Sequence, residues 1–284
     1  MTINALFENL WQVYSDLNPR VLEIRACLRQ ASPGLINDHI ALRTLKHARF
    51  GMERLAHDFL EVGYEVRGHY HFEAKKLDAI HLEHCTDSQA PKVFISELLL
   101  DACSDKLQRT MQVNLIDRLS DQYSIQYLKH NLDERLDQPS GNTLLAASGR
   151  HWGKPSYKIY QSLLDESEYA AWFYVFGFVP NHFTVKINSL AQFTEIQELN
   201  DFLEAQGYAL NEAGGKVKGT PELYLEQSST MADVVTVAFQ EGDYKIPSVF
   251  YEFAKRYKNA DGDEFSAFIE GNADKIFEST NVRS

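Results

Sequence analysis

The chain predicts an α+β fold: two pseudo-twofold β-α-β-β-β modules around one cavity, with helices added at the N-terminus and between the modules. Three observations lead there. His39-Ile-Ala-Leu-Arg43 runs on to Asp58-Phe-Leu-Glu61 and Gly63-Tyr64, and His182-Phe-Thr-Val-Lys186 runs on to Asp201-Phe-Leu-Glu204 and Gly207-Tyr208. Asp58 and Asp201 each fall 19 residues after their His. Further along, Pro91-Lys-Val-Phe-Ile-Ser96-Glu97 is echoed by Pro247-Ser-Val-Phe-Tyr-Glu252. A repeat with a His at the head of each copy and a carboxylate near its end places a metal site between the halves.

The elements follow in order. Residues 1–36 form N-terminal helices: Leu6, Leu10, Val13, Tyr14 and Leu17 keep helical spacing, as do Val21, Ile24 and Leu28, and Pro19 divides the two runs. Residues 37–101 form the first module, with a strand from His39, a helix carrying Met52, Leu55, Phe59 and Leu60 on one face, a left-handed cap at Gly63, and strands at 64–72, 77–84 and 92–100. Residues 102–180 read as a helical insertion. Leu107, Met111, Val113, Leu115, Leu119, Tyr123, Ile125, Leu128, Leu132 and Leu136 lie there among charges, and a helical stretch at 156–176 ends before Gly177. Residues 181–257 form the second module, with a strand at 182–188, a helix at 191–206, strands near 208–213, 221–227 and 232–239, and a last strand at 247–256. The polar tail, 258–284, is expected at the periphery.

With 284 residues, 44% hydrophobic and 12% aromatic, the chain is long and apolar enough for a sizeable core. A net charge of −12 argues against nucleic acid or an anionic membrane as the main partner. Cys27, Cys85 and Cys103 show no metal or redox spacing and read as reduced thiols. The N-terminal stretch lacks a secretion pattern, and the apolar run from Tyr169 to Val179 is far short of a membrane helix, so the expected location is cytoplasmic.

His39 and His182 are the first two candidate metal ligands, because they occupy matched places in a repeat. The third is a carboxylate. An ungapped alignment of Pro91 with Pro247 sets Ser96, not Glu97, opposite Glu252. Neighbouring strand residues point to opposite faces, so Glu252 is the candidate, and Glu97 is a fourth ligand only if a bulge turns it inward. Two imidazoles and one carboxylate cover one face of an octahedral metal and leave positions for an anionic chelating oxygen ligand. Arg43, four residues beyond His39 on the same strand face, offers a planar fork to a substrate carboxylate, with a structural ion pair as the alternative. Lys186 is its counterpart. His69, His71, His81 and His84 have no counterpart in the second module and read as solvated surface, while Gly149-Arg150-His151-Trp152 reads as a structured loop near the cavity. Hydrolase, NTPase and dinucleotide fingerprints are absent from the sequence.

The segments NDHIALRT (37–44), SGRHWGKPSY (148–157), LLDESEYAAWFYVFGFVPNHFTVKIN (163–188) and SVFYEFAKRY (248–257) resemble the 2-oxoadipate dioxygenase/decarboxylase family, also called 2-hydroxyglutarate synthase. The resemblance spans most of the chain. It implies the vicinal-oxygen-chelate fold, Fe(II) held by His39, His182 and Glu252, and a substrate-binding role for Arg43. It also implies a reaction, 2-oxoadipate plus O2 to 2-hydroxyglutarate plus CO2, in bacterial lysine breakdown. The expected partners are therefore a small anionic 2-oxo acid and O2, with the oligomeric state open. Two other readings stand beside it: another metal-dependent isomerase or extradiol-type dioxygenase of this fold, which a fourth ligand at Glu97 or an aromatic substrate would favour, and a non-catalytic ligand-binding protein.

Overall fold

A computed structural model of the chain describes residues 2–32, 34–120 and 145–281. Helix α1 (Ile3–Leu17) starts at Thr2, whose hydroxyl accepts the Ala5 N–H, and α2 (Arg20–Ala31) follows Pro19, as the spacing predicts. The first module is β1 (Asn37–Leu45), α3 (Met52–Leu60), β2 (Tyr64–Phe72), β3 (Leu77–His84) and β4 (Lys92–Leu98). Gly63 takes a φ of +95° just after α3, which is the left-handed cap expected there.

The insertion opens with α4 (Asp105–Met111), a π-helical turn at 112–116 and α5 (Asp117–Ser120); Tyr123, Ile125, Leu128, Leu132 and Leu136 lie outside the described residues. The expected helical stretch at 156–176 is two helices, α6 (Tyr157–Leu164) and α7 (Glu168–Phe176). The break has a local cause: Ser167 turns extended, and its hydroxyl accepts the Ala170 N–H to start α7 afresh.

The second module comprises β5 (Pro180–Lys186), α8 (Ile196–Ala205), β6 (Lys218–Thr220), β7 (Leu225–Ser229) and β10 (Phe250–Arg256). Two expectations fail here. Residues 208–213 contribute only an isolated bridge between Leu210 and Thr230, and the strand expected at 232–239 leaves the main sheet. That strand, β8 (Val234–Phe239), pairs only with β9 (Gly242–Pro247), in a hairpin inserted ahead of the last strand.

The eight remaining strands make one curled sheet in the order β2-β3-β4-β1-β5-β10-β7-β6. Each half reads outward from its first strand in the same way. β1 pairs parallel with β4, β5 pairs parallel with β10, and the two first strands pair antiparallel with each other. Alternation then assigns the faces. Phe183 of β5 packs away from the cavity, edge-on to Trp11 of α1 with ring centroids 5.0 Å apart, so His182 and Thr184 look the other way. This is the two-module, vicinal-oxygen-chelate arrangement expected from the repeat.

The tail is not peripheral. Helix α9 (Glu270–Ile276) and the turn 277–280 lie across the inner face of the sheet, and Phe268, Ala273, Ile276 and Phe277 line the cavity.

Candidate metal centre

The register of the central strands brings the ligands together. Across β1 and β5, Ala41 lies opposite His182 and His39 opposite Thr184, so the two imidazoles project from adjacent places on one face. Glu252 on β10 lies beside Thr184. The result is a buried group, His39, His182 and Glu252, whose nearest ligand atoms all lie within 4.8 Å of one another. The Nε2 atoms of His39 and His182 are 3.4 and 3.0 Å from the two oxygens of Glu252.

Each ligand is aimed from behind. Nδ1 of His39 lies 2.8 Å from Asp38 Oδ1, and Nδ1 of His182 lies 3.2 Å from Asn181 Oδ1. An acceptor behind Nδ1 holds its proton there and turns the Nε2 lone pair toward the cavity. Arg256 fixes Asp38 in turn through two bonds, of 2.7 and 2.8 Å. Gln227 donates to Glu252 Oε1 at 2.7 Å, and Asn272 of α9 donates to Gln227 Oε1 at 3.1 Å. The other carboxylate oxygen, Oε2, is buried and accepts no hydrogen bond among the described residues. A lone pair of His182 and an unbonded anionic oxygen 3.0 Å apart repel unless a cation lies between them. The donor set and this unmet acceptor fit a divalent metal.

The electrostatics agree. Burial alone would raise the Glu252 carboxyl, but positive charge on the facing imidazoles outweighs it and holds the group well below the usual carboxylate range. Burial opposes charge on both rings. On His39 the carboxylates of Glu252 and Asp38 prevail and raise the pKa, whereas on His182 burial prevails and lowers it. Asp38 stays ionised despite its burial because Arg256 and His39 flank it.

The ungapped alignment needs one correction. With His39 equivalent to His182, Ala41 is equivalent to Thr184, and the neighbour of Ala41 on β4 is Phe94, not Ser96. Phe94 lines the cavity and is the counterpart of Glu252. The error is two residues, so the faces were still read correctly. Glu97 lies on the outer face, where its carboxylate accepts the Met52 N–H at the start of α3 with a bond of 2.9 Å. Ser96 bonds Tyr169 instead, its hydroxyl 3.0 Å from the phenol oxygen.

Arg43 is buried at the inner end of this face. Its Nη1 is 3.0 Å from Glu168 Oε1, its Nη2 donates to Thr280 Oγ1 at 3.1 Å, and it lies against the rings of Tyr169 and Trp172. Its Nε is a buried donor without an acceptor among the described residues. Lys186 reaches Glu264. The loop holding His151 lies elsewhere: His151 bonds Ser148 at 2.8 Å, and Gly149 and Arg150 line a separate groove beside α1. Of the histidines expected on the surface, His69 and His71 are exposed, but His81 is buried between Tyr70 and Glu83. The residues that sequence reasoning missed here are Asp38, Gln227 and Phe94. Asp38 had a signal, since each His of the repeat follows an Asx residue.

The profile of the 2-oxoadipate dioxygenase/decarboxylase family matches residues 3–264. The 2-oxoadipate dioxygenase/decarboxylase of Oryza sativa subsp. japonica, a chloroplastic/amyloplastic protein, is 34% identical over 300 residues, covering 98% of this chain and 78% of its own. Among solved structures, a protein of Shewanella frigidimarina described as a hydrolase shares 45% identity at a TM-score of 0.83, over 94% of this chain and 98% of its own. The hydroxyglutarate synthase of Oryza sativa, solved with 2-oxoadipate, shares 32% identity at a TM-score of 0.83, over 98% of this chain and 92% of its own. The plastid address of the rice protein overturns the inference to a cytoplasmic location: proteins of this fold and sequence are not confined there, and an unremarkable N-terminal stretch does not decide the matter. No helix among the described residues is long and apolar enough to cross a membrane. By profile, identity and fold together, the chain belongs to the 2-oxoadipate dioxygenase/decarboxylase family.

Proposed function

We propose that this protein is an Fe(II)-dependent dioxygenase that converts 2-oxoadipate and O2 to 2-hydroxyglutarate and CO2, a step of lysine breakdown. The observation that carries the reading is one strand face. His39, at one end, belongs to a buried two-His, one-carboxylate group, and Arg43, at the other, has a donor without an acceptor. They are four residue steps apart on the strand, roughly 13 Å between Cα atoms. That span suits a six-carbon diacid joined to a metal at one end and a guanidinium at the other.

Bound Fe(II) would supply a chelation point for the 2-oxo carboxylate and the electrons that activate O2. Asp38 and Asn181 keep both imidazoles in the ligating orientation, and Gln227 occupies Oε1 of Glu252, leaving Oε2 for the metal. Arg43 would take the distal carboxylate on its free Nε edge, fixing length and direction. Phe94, Phe268, Ile276 and Phe277 keep water from the reacting carbons. The atoms balance: six carbons and one O2 leave as a five-carbon hydroxy acid and CO2. The isomerase-like alternative needs a fourth protein ligand, and the counterpart of Glu252 is the apolar Phe94.

An oxygen electrode and a panel of 2-oxo acids, with protein loaded anaerobically with Fe(II), test the proposal. The expected outcome is O2 uptake with 2-oxoadipate, matched one to one by CO2 and a five-carbon product. A product that keeps six carbons, or no uptake with any 2-oxo acid, would remove the dioxygenase reading.

A further inference from the structure

Two cavities meet at one side chain. The metal cavity has a volume of only about 20 Å³, room for little more than a single water and far too little for a six-carbon diacid. A second cavity, of about 290 Å³, opens beside it between the start of α7 and the C-terminal turn. Phe277 lines both. Its ring lies 5.6 Å from the guanidinium carbon of Arg43 and packs on Phe72 with centroids 5.5 Å apart. Glu168, the ion-pair partner of Arg43, lines the outer cavity. Glu168 and Phe277 thus both face the outer cavity, and Phe277 faces the metal cavity as well.

Resting on the substrate reading above, we infer that Phe277 is the partition through which the diacid reaches the metal and the residue that sets the chain length the site accepts. The metal ligand His39 and the anion holder Arg43 stand on the same strand, so the distance between the two ends of the substrate is fixed by a rigid element. Slack in a longer chain has to be taken up sideways, and Phe277 occupies that space. The other large walls of the metal cavity, Phe94 on β4 and Phe268 against the His39 ring at 4.8 Å, are held within the sheet or against a ligand. Phe277 instead opens the short turn after α9, which ends a few residues later at Thr280. A ring that rotates there lets the 2-oxo end pass inward and leaves the distal carboxylate on the free Nε edge of Arg43.

Ring size at 277 should then govern two separate readouts. The first is the rate at which ferrozine withdraws Fe(II) from anaerobically loaded protein, which needs no substrate. The second is the ratio of kcat/KM values for unbranched 2-oxo diacids of five to eight carbons. Phe277→Leu and Phe277→Ala are expected to speed withdrawal by about fivefold or more and to shift preference toward the seven- and eight-carbon acids by about tenfold or more, the scale of a methylene or two in an apolar pocket. Phe277→Trp should move both readouts the other way. Because truncating a packed ring costs stability, the Leu and Trp variants carry the test if the Ala variant does not fold. Withdrawal that tracks ring size in a protein that oxidises no 2-oxo diacid would support the partition and remove the substrate reading. A wild type that oxidises 2-oxoadipate, with folded Leu and Trp variants that match it in both readouts, would overturn the partition alone.

Discussion

His39, Ala41 and Arg43 look inward from β1, and His182, Thr184 and Lys186 hold the same places on β5. The first and last strands of the two halves pair in the same way, yet the chemistry is divided between them. The first half supplies an apolar wall, Ala41 and Phe94, and beyond it the buried guanidinium of Arg43. The second supplies Thr184, Gln227 and the candidate ligand Glu252, all buried and polar. Support behind the two imidazoles is divided too. An ionised Asp38 locked to Arg256 stands behind His39, and a neutral Asn181 behind His182. A symmetric pair would give two His and two carboxylates, leaving only two positions of an octahedral metal open. With Phe94 in place of one carboxylate the candidate ligands number three, which would leave three octahedral positions for a chelating substrate and O2.

The strongest break of that asymmetry is at the carboxylate. Glu252→Gln is expected to abolish metal retention, as are His39→Ala and His182→Ala, while the fold survives; metal content after dialysis and the thermal transition check both. Phe94→Glu is the reciprocal change. It should retain metal and lose turnover, because the added carboxylate takes a position the substrate needs. Turnover that survives Phe94→Glu would show that the apolar wall is not what keeps the site open.

Next in size is the contrast between Arg43 and Lys186. A desolvated, charge-assisted contact to a carboxylate is worth about 2–4 kcal/mol, so Arg43→Ala should lower kcat/KM for 2-oxoadipate roughly 30- to 1000-fold with metal still bound. Arg43→Lys should recover only part, for want of the planar fork. Lys186→Ala removes a surface pair with Glu264 and should change kcat/KM by no more than about twofold. If Arg43→Ala impairs diacids and monoacids equally, or the protein unfolds, Arg43 is held for Glu168 alone.

Smaller again is the effect of the residue behind each imidazole. Asp38→Asn is expected to weaken metal binding about 10- to 100-fold, the usual scale for a partner of a ligating His. It also strips the counter-charge from a fully buried Arg256, at a cost of about 3 kcal/mol. Asn181→Ala should weaken metal binding by less, since no ion pair depends on Asn181 among the described residues. Chelator competition and thermal melts read the two terms separately.

Much of this was legible in the sequence, and the losses have physical reasons. The matched His positions and the DFLE-to-Gly-Tyr segments marked β1, β5, α3 and α8, because a buried strand and the amphipathic helix behind it constrain nearly every residue. The hairpin β8–β9 could not be separated from the main sheet, since alternation in Val234–Phe239 says that a strand forms and not what it pairs with. Pro247 misled the alignment. It ends β9 rather than preceding β10, whose first residue is Phe250, while Pro91 directly precedes β4. The tail was unreadable because Phe268, Ile276 and Phe277 are three apolar contacts in a polar stretch, and such sparse contacts leave no period.

The smallest expected effect belongs to Glu97, the carboxylate that looks like a ligand in sequence and caps a helix in space. Its oxygen accepts the Met52 N–H at the start of α3, a contact whose loss costs about 1 kcal/mol by analogy with other helix caps. Gln retains an acceptor at the same place, so Glu97→Gln should leave metal stoichiometry and turnover intact and move Tm by about 2 °C at most. Burial raises the Glu97 carboxyl above its ordinary range, more than the Met52 bond lowers it. The sign follows from linkage: an acid whose folded pKa is raised binds its proton more tightly in the native state, so its contribution falls as pH rises through that range. Wild type should therefore gain on Glu97→Gln as pH is lowered from 7 through the interval just above the ordinary glutamate value of about 4.3. Melting curves of both proteins at neutral and mildly acidic pH would show the gap opening in favour of wild type. A gap that instead closes on acidification would mean that the ionised carboxylate is the better cap and that its burial is overcome by the helix end. Loss of metal in Glu97→Gln would be a larger surprise, because it would return the fourth ligand to the first module and undo the division between the two halves.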